Sequence, residues 1–90
     1  MEHINHAFDA DEGDIVEVTL DRAANVLLMD ESNYELYNRS GHYRYHGGYA
    51  TESPVRLKVP RPGRWHVVVD LGGGPGQVRS LFQLIAGAPA

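Results

Sequence analysis

Apolar and polar residues alternate with a period of two along much of the chain, a pattern typical of short strands with one buried face. In GDIVEVTL, residues 13–20, Val16 and Val18 lie on one face and Glu17 on the other. In PVRLKVP, residues 54–60, the alternation is closed by a proline at each end, which favours the edge of a sheet. Both segments therefore predict strands.

Three further segments carry strand-like apolar runs. Residues 24–30 are apolar on both faces, residues 63–71 place Trp65 and three aliphatic side chains on one face, and residues 3–8 form a shorter run. RPG at residues 61–63 supplies turn residues, so we predict a hairpin between the strands on either side of it.

The segment QVRSLFQLI, residues 77–85, fits two patterns. Val78, Leu81 and Ile85 have helical spacing. Val78 and Leu84 also share one face of a strand, so periodicity alone leaves both structures open. The strand-like runs before it favour a last strand that pairs with the preceding one.

Between residues 30 and 51 the alternation stops, and tyrosine and glycine become frequent. Asn33 is a residue type that caps helices, and we expect it to begin a short helix that holds Tyr34 to Tyr37. We expect an aromatic strand at residues 43–46 and a glycine bend after it.

Together these elements predict an all-β fold. We expect a single antiparallel β-sandwich of about seven short strands over residues 1–90, with one short helical turn near residues 33–37. Ninety residues are enough for one small core and too few for a second domain.

The motif DLGGGPG, residues 70–76, follows an apolar strand and resembles the opening motif of S-adenosylmethionine-dependent methyltransferases. Such a site needs a helix directly after the glycines and an acidic residue about twenty positions on. Only fourteen residues follow Gly76, and none after Asp70 is acidic. We therefore interpret the motif as a tight connection, and predict no catalytic residue, no cofactor and no enzyme activity.

The charges are divided along the chain. Residues 1–35 contain ten acidic and one basic side chain, whereas residues 36–90 contain seven basic and two acidic ones. We expect cross-strand pairs to satisfy most of this charge. A net charge of −4 disfavours a nucleic-acid partner. Without a signal-peptide pattern or an apolar run of transmembrane length, the sequence predicts a cytoplasmic protein with no membrane partner.

Five histidines and an acidic loop raise the question of a metal site. His42 and His46 would stand about 13 Å apart on an extended strand, too far to share an ion. DADEGD, residues 9–14, lacks the glycine and the glutamate at the positions that an EF-hand loop requires. The chain has no cysteine, so we predict no metal ligand.

The chain also contains, in order, the segments GDIVEV, ANVLLMDESNYELY, YRYHGGYATESP and VPRPGRWHVVVDLGG. Together they resemble a family of small bacterial proteins known only as a domain of unknown function, found alone and sometimes fused to TIR-type signalling domains. The resemblance implies an all-β sandwich, and so a strand at residues 77–85. It implies no activity and no catalytic residue.

Tyrosine and arginine alternate in NYELYNRSGHYRYHGGY, residues 33–49. These two residue types are enriched at binding hot spots, because they offer a broad, stiff contact area with a polar tip. The competing interpretation is that several rings cover one end of the sandwich and complete its core. The candidate binding residues are Tyr34, Tyr37, Arg39, Tyr43, Arg44, Tyr45, His46 and Tyr49.

These features predict a non-catalytic binding or assembly module. We expect it to recognise a protein partner, or to form a homo-oligomer, through the Tyr/Arg-rich residues. The alternative is a sensor for a small ligand, such as a sugar or a nucleotide-derived signal, held among Tyr43, Tyr45, His46 and the loop at residues 71–76.

Overall fold

The computed structural model describes residues 3–72 and 74–87, which form two antiparallel sheets and one helix. The elements are β1 (Ile4–Ala10), β2 (Ile15–Leu20), β3 (Ala24–Asp30), α1 (Glu31–Asn38), β4 (His46–Ala50), β5 (Val55–Lys58), β6 (Gly63–Asp70) and β7 (Ser80–Ile85). Sheet A has the strand order β1-β6-β3-β4, and sheet B has the order β5-β2-β7. The predicted all-β sandwich is confirmed.

The main core lies between the two sheets and is built from the alternating residues of the strands. Val16 and Val18 of β2 face Val26 of β3 and Val67 of β6, and all four are fully buried. Trp65 closes one end of this layer. Each fully buried aliphatic side chain of this size contributes about 1.5–3 kcal/mol to folding, so burial of these alternating residues holds the two sheets together.

Sheet A is buried on both faces. Leu27 and Met29 of β3 and Val68 of β6 point away from sheet B, where Tyr37 of α1 packs on them. This second core explains why residues 24–30 are apolar on both faces. The helix therefore forms a third layer on the outer face of sheet A.

The segment at residues 80–85 is a strand, as the context favoured. Phe82 and Leu84 pack against the main core, whereas Leu81 points to solvent with 74 % of its surface exposed. Its partner, however, is β2 and not the preceding strand β6. The prediction of that pairing is wrong, because the connection at residues 71–79 is long enough to carry the chain from sheet A to sheet B.

The hairpin predicted at residues 61–63 is also wrong. β5 pairs with β2 in sheet B, while β6 pairs with β1 and β3 in sheet A, so the chain crosses between sheets at this point. Pro60 and Pro62 explain the difference. A two-residue hairpin turn favours positive φ angles, which proline cannot adopt. As predicted, β5 lies at a sheet edge.

The helix begins one turn earlier than the sequence interpretation placed it. Asp30 is the N-cap, with an extended backbone (φ −77°, ψ 174°), and its carboxylate accepts the backbone N–H of Asn33 at 2.9 Å. Asn33 therefore lies inside the helix and does not cap it. Asp30 ends β3, so its backbone is already in the conformation that an N-cap requires.

The aromatic strand expected at residues 43–46 lies further along the chain, at His46–Ala50. Gly47 explains the shift. Its φ is +107°, and a Cβ there would overlap the carbonyl oxygen of Val26, so only glycine allows β4 to approach β3 this closely. Tyr43 and Tyr45 precede the strand, and the Tyr43 ring contacts Tyr37 of the helix.

Cross-strand ion pairs form between the acidic and basic parts of the chain, but those found among the described residues satisfy only part of the charge, and not most of it as expected. Arg56 of β5 contacts Glu17 of β2 at 2.9 Å, and Arg64 of β6 contacts Asp9 of β1 at 3.7 Å. All four residues are at least partly exposed, so these pairs influence strand pairing more than overall stability.

Candidate functional site

A cavity of about 670 Å³ opens where β3 ends and β4 and β6 begin. Its volume lies within the range of roughly 300–1,000 Å³ that is common for small-molecule sites. Its walls come from β3, α1, the segment before β4, the β5–β6 connection and β6. The lining residues are Met29, Asp30, Asn33, Tyr43, Arg44, Tyr45, His46, Arg61 and Trp65.

Four of the sequence-predicted binding residues line this cavity: Tyr43, Arg44, Tyr45 and His46. They are consecutive in sequence and form one wall. The rings of Tyr43 and Tyr45 lie 5.7 Å apart at 41°, and the His46 ring lies 6.2 Å from Trp65. The wall is therefore largely aromatic.

Tyr34 and Tyr37 belong to α1 and lie away from the cavity lining. Tyr34 stacks on His66 with 4.1 Å between ring centroids, and Tyr37 is buried against sheet A. The edge of Tyr37 meets the face of Tyr43 at 5.1 Å and 84°. These two rings thus hold the helix on the sheet and support the aromatic wall from behind.

Arg39 and Tyr49 also lie away from the cavity lining. Arg39 follows the last residue of α1, where its backbone N–H bonds to the carbonyl oxygens of Glu35 and Leu36. Its side chain is exposed. Tyr49 lies on the edge strand β4 with 69 % of its surface exposed.

Arg61 is the best-positioned cation of the site, although the sequence interpretation did not select it. Its guanidinium forms an ion pair with Asp30 and lies 4.9 Å from the ring centre of Trp65. The indole N–H of Trp65 donates back to the Arg61 carbonyl oxygen at 3.0 Å. Pro60 and Pro62 restrict the backbone on both sides. Asp30 and Trp65 thus hold the Arg61 side chain, which is 58 % exposed, while the Trp65 hydrogen bond and the two prolines restrict its backbone.

Arg44 supplies a second guanidinium. Its backbone N–H donates to the side-chain oxygen of Asn33 at 2.8 Å, which ties the wall to the helix. Its side chain is exposed and forms no ion pair within residues 3–72 and 74–87. Against these two cations the cavity has one carboxylate, that of Asp30, so the lining favours an anion.

Tyr43 and Asp30 are two lining residues whose pKa departs clearly from the ordinary value. Burial raises the pKa of Tyr43, and the nearby Asp70 carboxylate and Tyr45 raise it further. For Asp30, burial alone would raise the pKa, but hydrogen bonds from Asn33 and Ser32 and the charge of Arg61 bring it below its ordinary value. At neutral pH the site therefore holds neutral tyrosine and ionised aspartate.

A buried polar network lies behind the cavity. Asp70 is only 4 % exposed, and its carboxylate accepts hydrogen bonds from the Tyr37 hydroxyl (2.6 Å), the Asn25 amide (2.8 Å) and the backbone N–H of Gly72 (2.9 Å). Burial alone would raise the pKa of Asp70, but these donors lower it below its ordinary value, with a smaller contribution from the charge of His3. The network fixes α1 on sheet A.

His66 is a second buried polar group of this layer, 4 % exposed. Its Nδ1 lies 3.0 Å from the Asn5 side-chain oxygen, and its Nε2 lies 3.0 Å from a Glu31 carboxylate oxygen. Both ring nitrogens are thus engaged within the protein. Across the described ranges, no three His, Asp or Glu side chains converge as a metal site would require.

The glycine-rich segment at residues 71–76 is a connection between sheets. Gly72 has φ +65° and donates its N–H to Asp70, while Gly73 lies outside the described residues. Residues 77–79 lead into β7, where a methyltransferase would begin a helix. The cavity lining includes none of the segment's described residues.

Sequence reasoning missed five of the cavity residues: Met29, Asp30, Asn33, Arg61 and Trp65. The local sequence could have indicated the role of Asp30, since an aspartate directly before a polar helical segment is a typical N-cap. Trp65 was recognised only as a core residue. No local sequence pattern indicates that Arg61 lines the cavity, because its role depends on a crossing between sheets that brings distant segments together.

The chain matches the model of one known protein family. Residues 2–87 match the family described as Domain of unknown function (DUF1883), so the chain belongs to that family. No curated protein matches the chain, and no solved structure matches it. Over the part of the chain that the structure describes, no helix is both long and apolar enough to cross a membrane.

Proposed function

We propose that this domain is a non-catalytic binding module and that its ligand occupies the cavity between the 43–46 wall and Arg61. The observation that carries the proposal is that Arg44 and Arg61 line one concave space together with aromatic rings in tilted contact. Small-molecule sites typically combine a mostly apolar lining with a few fixed polar groups.

The charges of the cavity favour an anionic group on the ligand. Arg61 is held in place by Trp65 and Asp30, so binding an anion there costs little side-chain entropy. Arg44 is exposed and carries a charge that no described acidic group neutralises. Guanidinium groups bind carboxylate or phosphate through paired hydrogen bonds, which adds direction to the charge attraction.

The aromatic wall favours a flat ring on the same ligand. Tyr45 is 48 % exposed and lines the cavity beside Tyr43, so part of its ring is accessible to a ligand. A ligand that joins a planar ring to a phosphate, as a nucleotide-derived signal does, would use both features. Binding such a ligand corresponds to the small-ligand sensor, one of the two functions that the sequence suggests.

The second candidate function is recognition of a protein partner or a second copy through the Tyr/Arg-rich surface. It is favoured by the exposure of Tyr45 and Tyr49, which are large side chains on or beside an edge strand. An acidic side chain of a protein partner could enter the cavity in place of a free anion. Tyr45→Ala would then disrupt the complex.

The resemblance to small bacterial proteins sets the proposed context. That resemblance implies relatives fused to TIR-type signalling domains, and a binding module beside a signalling domain would report a ligand or a partner. We propose that it acts in the bacterial cytoplasm.

The proposal can be tested with Trp65, because the chain contains one tryptophan and it lines the cavity. We expect adenosine 5′-monophosphate to change the Trp65 fluorescence saturably, with a dissociation constant below about 1 mM. Adenosine, which lacks the phosphate, should bind at least tenfold more weakly.

Two matched variants complete the test. Arg44→Gln should weaken binding of the nucleotide about tenfold or more, since it removes a hydrogen bond to a charged group. Arg39→Gln removes an exposed arginine outside the cavity and should leave the affinity unchanged. Equal affinity for adenosine and its monophosphate, or equal effects of the two variants, would refute the proposed site.

A further inference from the structure

β7 is an edge strand without the protection that sheet edges usually carry. Natural edge strands avoid pairing with other chains through charged side chains, prolines, glycine distortions or bulges. SLFQLI contains no charge, no proline and no glycine. Leu81 is 74 % exposed and Ile85 is 37 % exposed, and both point away from the sandwich core.

The other three sheet edges are protected. β5 carries Arg56 and Lys58 between its flanking prolines, and β1 carries the exposed Asp9. β4 contains Gly47 and Gly48, both with positive φ. β7 is therefore the sheet edge that can pair with a further strand.

We propose that β7 is a self-association surface on which the β7 strand of a second copy pairs antiparallel about a two-fold axis. The strand is self-complementary when Gln83 faces Gln83 of the second copy. Leu81 then lies opposite Ile85, and Phe82 lies opposite Leu84, so side chains of matching polarity meet on each face. Sheet B would become a continuous six-stranded sheet.

The charges next to β7 support a second copy as the occupant. The same register places Arg79 opposite Gly87 of the second copy, whose backbone N–H bonds to the Asp14 carboxylate at 3.0 Å. The side chain of Arg79 forms no ion pair among the residues that the structure describes. Two symmetric Arg79 and Asp14 contacts would therefore flank the paired strands.

The first test measures mass by light scattering over a range of protein concentrations. We expect the mass to approach twice the monomer mass as the concentration rises. Leu81→Lys, a substitution at an exposed position, should keep the protein monomeric at every concentration, with an unchanged circular dichroism spectrum. Tyr49→Lys adds the same charge to the edge of sheet A and should leave the dimer intact.

The second test uses the absence of cysteine in this chain. Directly opposite residues of an antiparallel pair have Cα atoms about 4.5–5.5 Å apart, a separation that a disulfide spans. Gln83→Cys should therefore cross-link to a dimer on mild oxidation with diamide, and Tyr49→Cys should not. A monomer at all concentrations, or cross-linking through Cys at position 49 but not at position 83, would overturn the inference. The latter result would assign self-association to the Tyr/Arg-rich surface and leave the cavity proposal standing.

Discussion

The hydroxyl of Tyr37 donates to the carboxylate of Asp70 at 2.6 Å, and this bond joins the helix to β6, an inner strand of sheet A. Both side chains are buried, and Asp70 is further held by Asn25 and Gly72. Because Tyr43 leans on the ring of Tyr37, the same bond supports the aromatic wall of the cavity. Helix position and site geometry are thus coupled.

We predict that Tyr37→Phe lowers the free energy of unfolding by about 1–3 kcal/mol, because it leaves a buried acceptor of Asp70 without its donor. Chemical denaturation followed by circular dichroism measures the change. Tyr49→Phe removes a hydroxyl from an exposed ring and should cost no more than about 0.5 kcal/mol. Equal effects of the two substitutions would show that the hydrogen bond between Tyr37 and Asp70 contributes nothing to the free energy of unfolding.

His6 makes the free energy of unfolding depend on pH in the mildly acidic range. Its ring stacks on Phe82 at 5.1 Å and 12° between the edges of the two sheets, and this burial lowers its pKa below the ordinary value of 6.5. The unfolded chain therefore takes up the proton more readily than the folded one, so the free energy of unfolding falls as the pH drops below about 6.5.

We predict that His6→Phe reduces the loss of stability between pH 7.5 and pH 5.5, measured as the shift in urea midpoint. Phenylalanine keeps the ring contact with Phe82 and cannot be protonated. His42→Gln, at an exposed position, is the matched control and should retain the wild-type pH dependence. If His6→Phe loses as much stability on acidification as the wild type, the buried ring is not the cause.

Gly47 controls the approach of β4 to β3. We predict that Gly47→Ala destabilises the fold by about 1–3 kcal/mol or more, because the new Cβ would overlap the Val26 carbonyl oxygen. Gly48→Ala is the control, since it has positive φ but no neighbouring atom near its Cβ position. A larger cost at Gly48 than at Gly47, measured by thermal unfolding, would contradict the account of this close contact.

The period-two pattern was sufficient to predict strands such as β2 and β5, because the burial of residues such as Val16 and Val18 is a local property of one strand. For β7 the pattern left helix and strand open. Strand partners were not predictable in the same way. The hairpin error at residues 61–63 arose because the pattern shows which residues are buried but not which sheet they join. The prolines at positions 60 and 62 favour the crossing that the structure contains.

One wall of the cavity could be predicted from the sequence, and the other could not, for the same reason. Tyr43 to His46 are adjacent in the chain, so one segment revealed a whole wall. Asp30, Arg61 and Trp65 come from three separate segments, and only the tertiary fold brings them to the opposite wall.

The central claim is that the cavity binds an anion attached to a flat ring, and a nitrogen-15 HSQC titration tests it most directly. With adenosine 5′-monophosphate, we expect the indole N–H of Trp65 and the backbone amides of Arg44, Tyr45 and His46 to shift saturably, while the amides of β7 stay in place. No shift up to about 10 mM nucleotide, or shifts confined to residues away from the cavity, would contradict the claim.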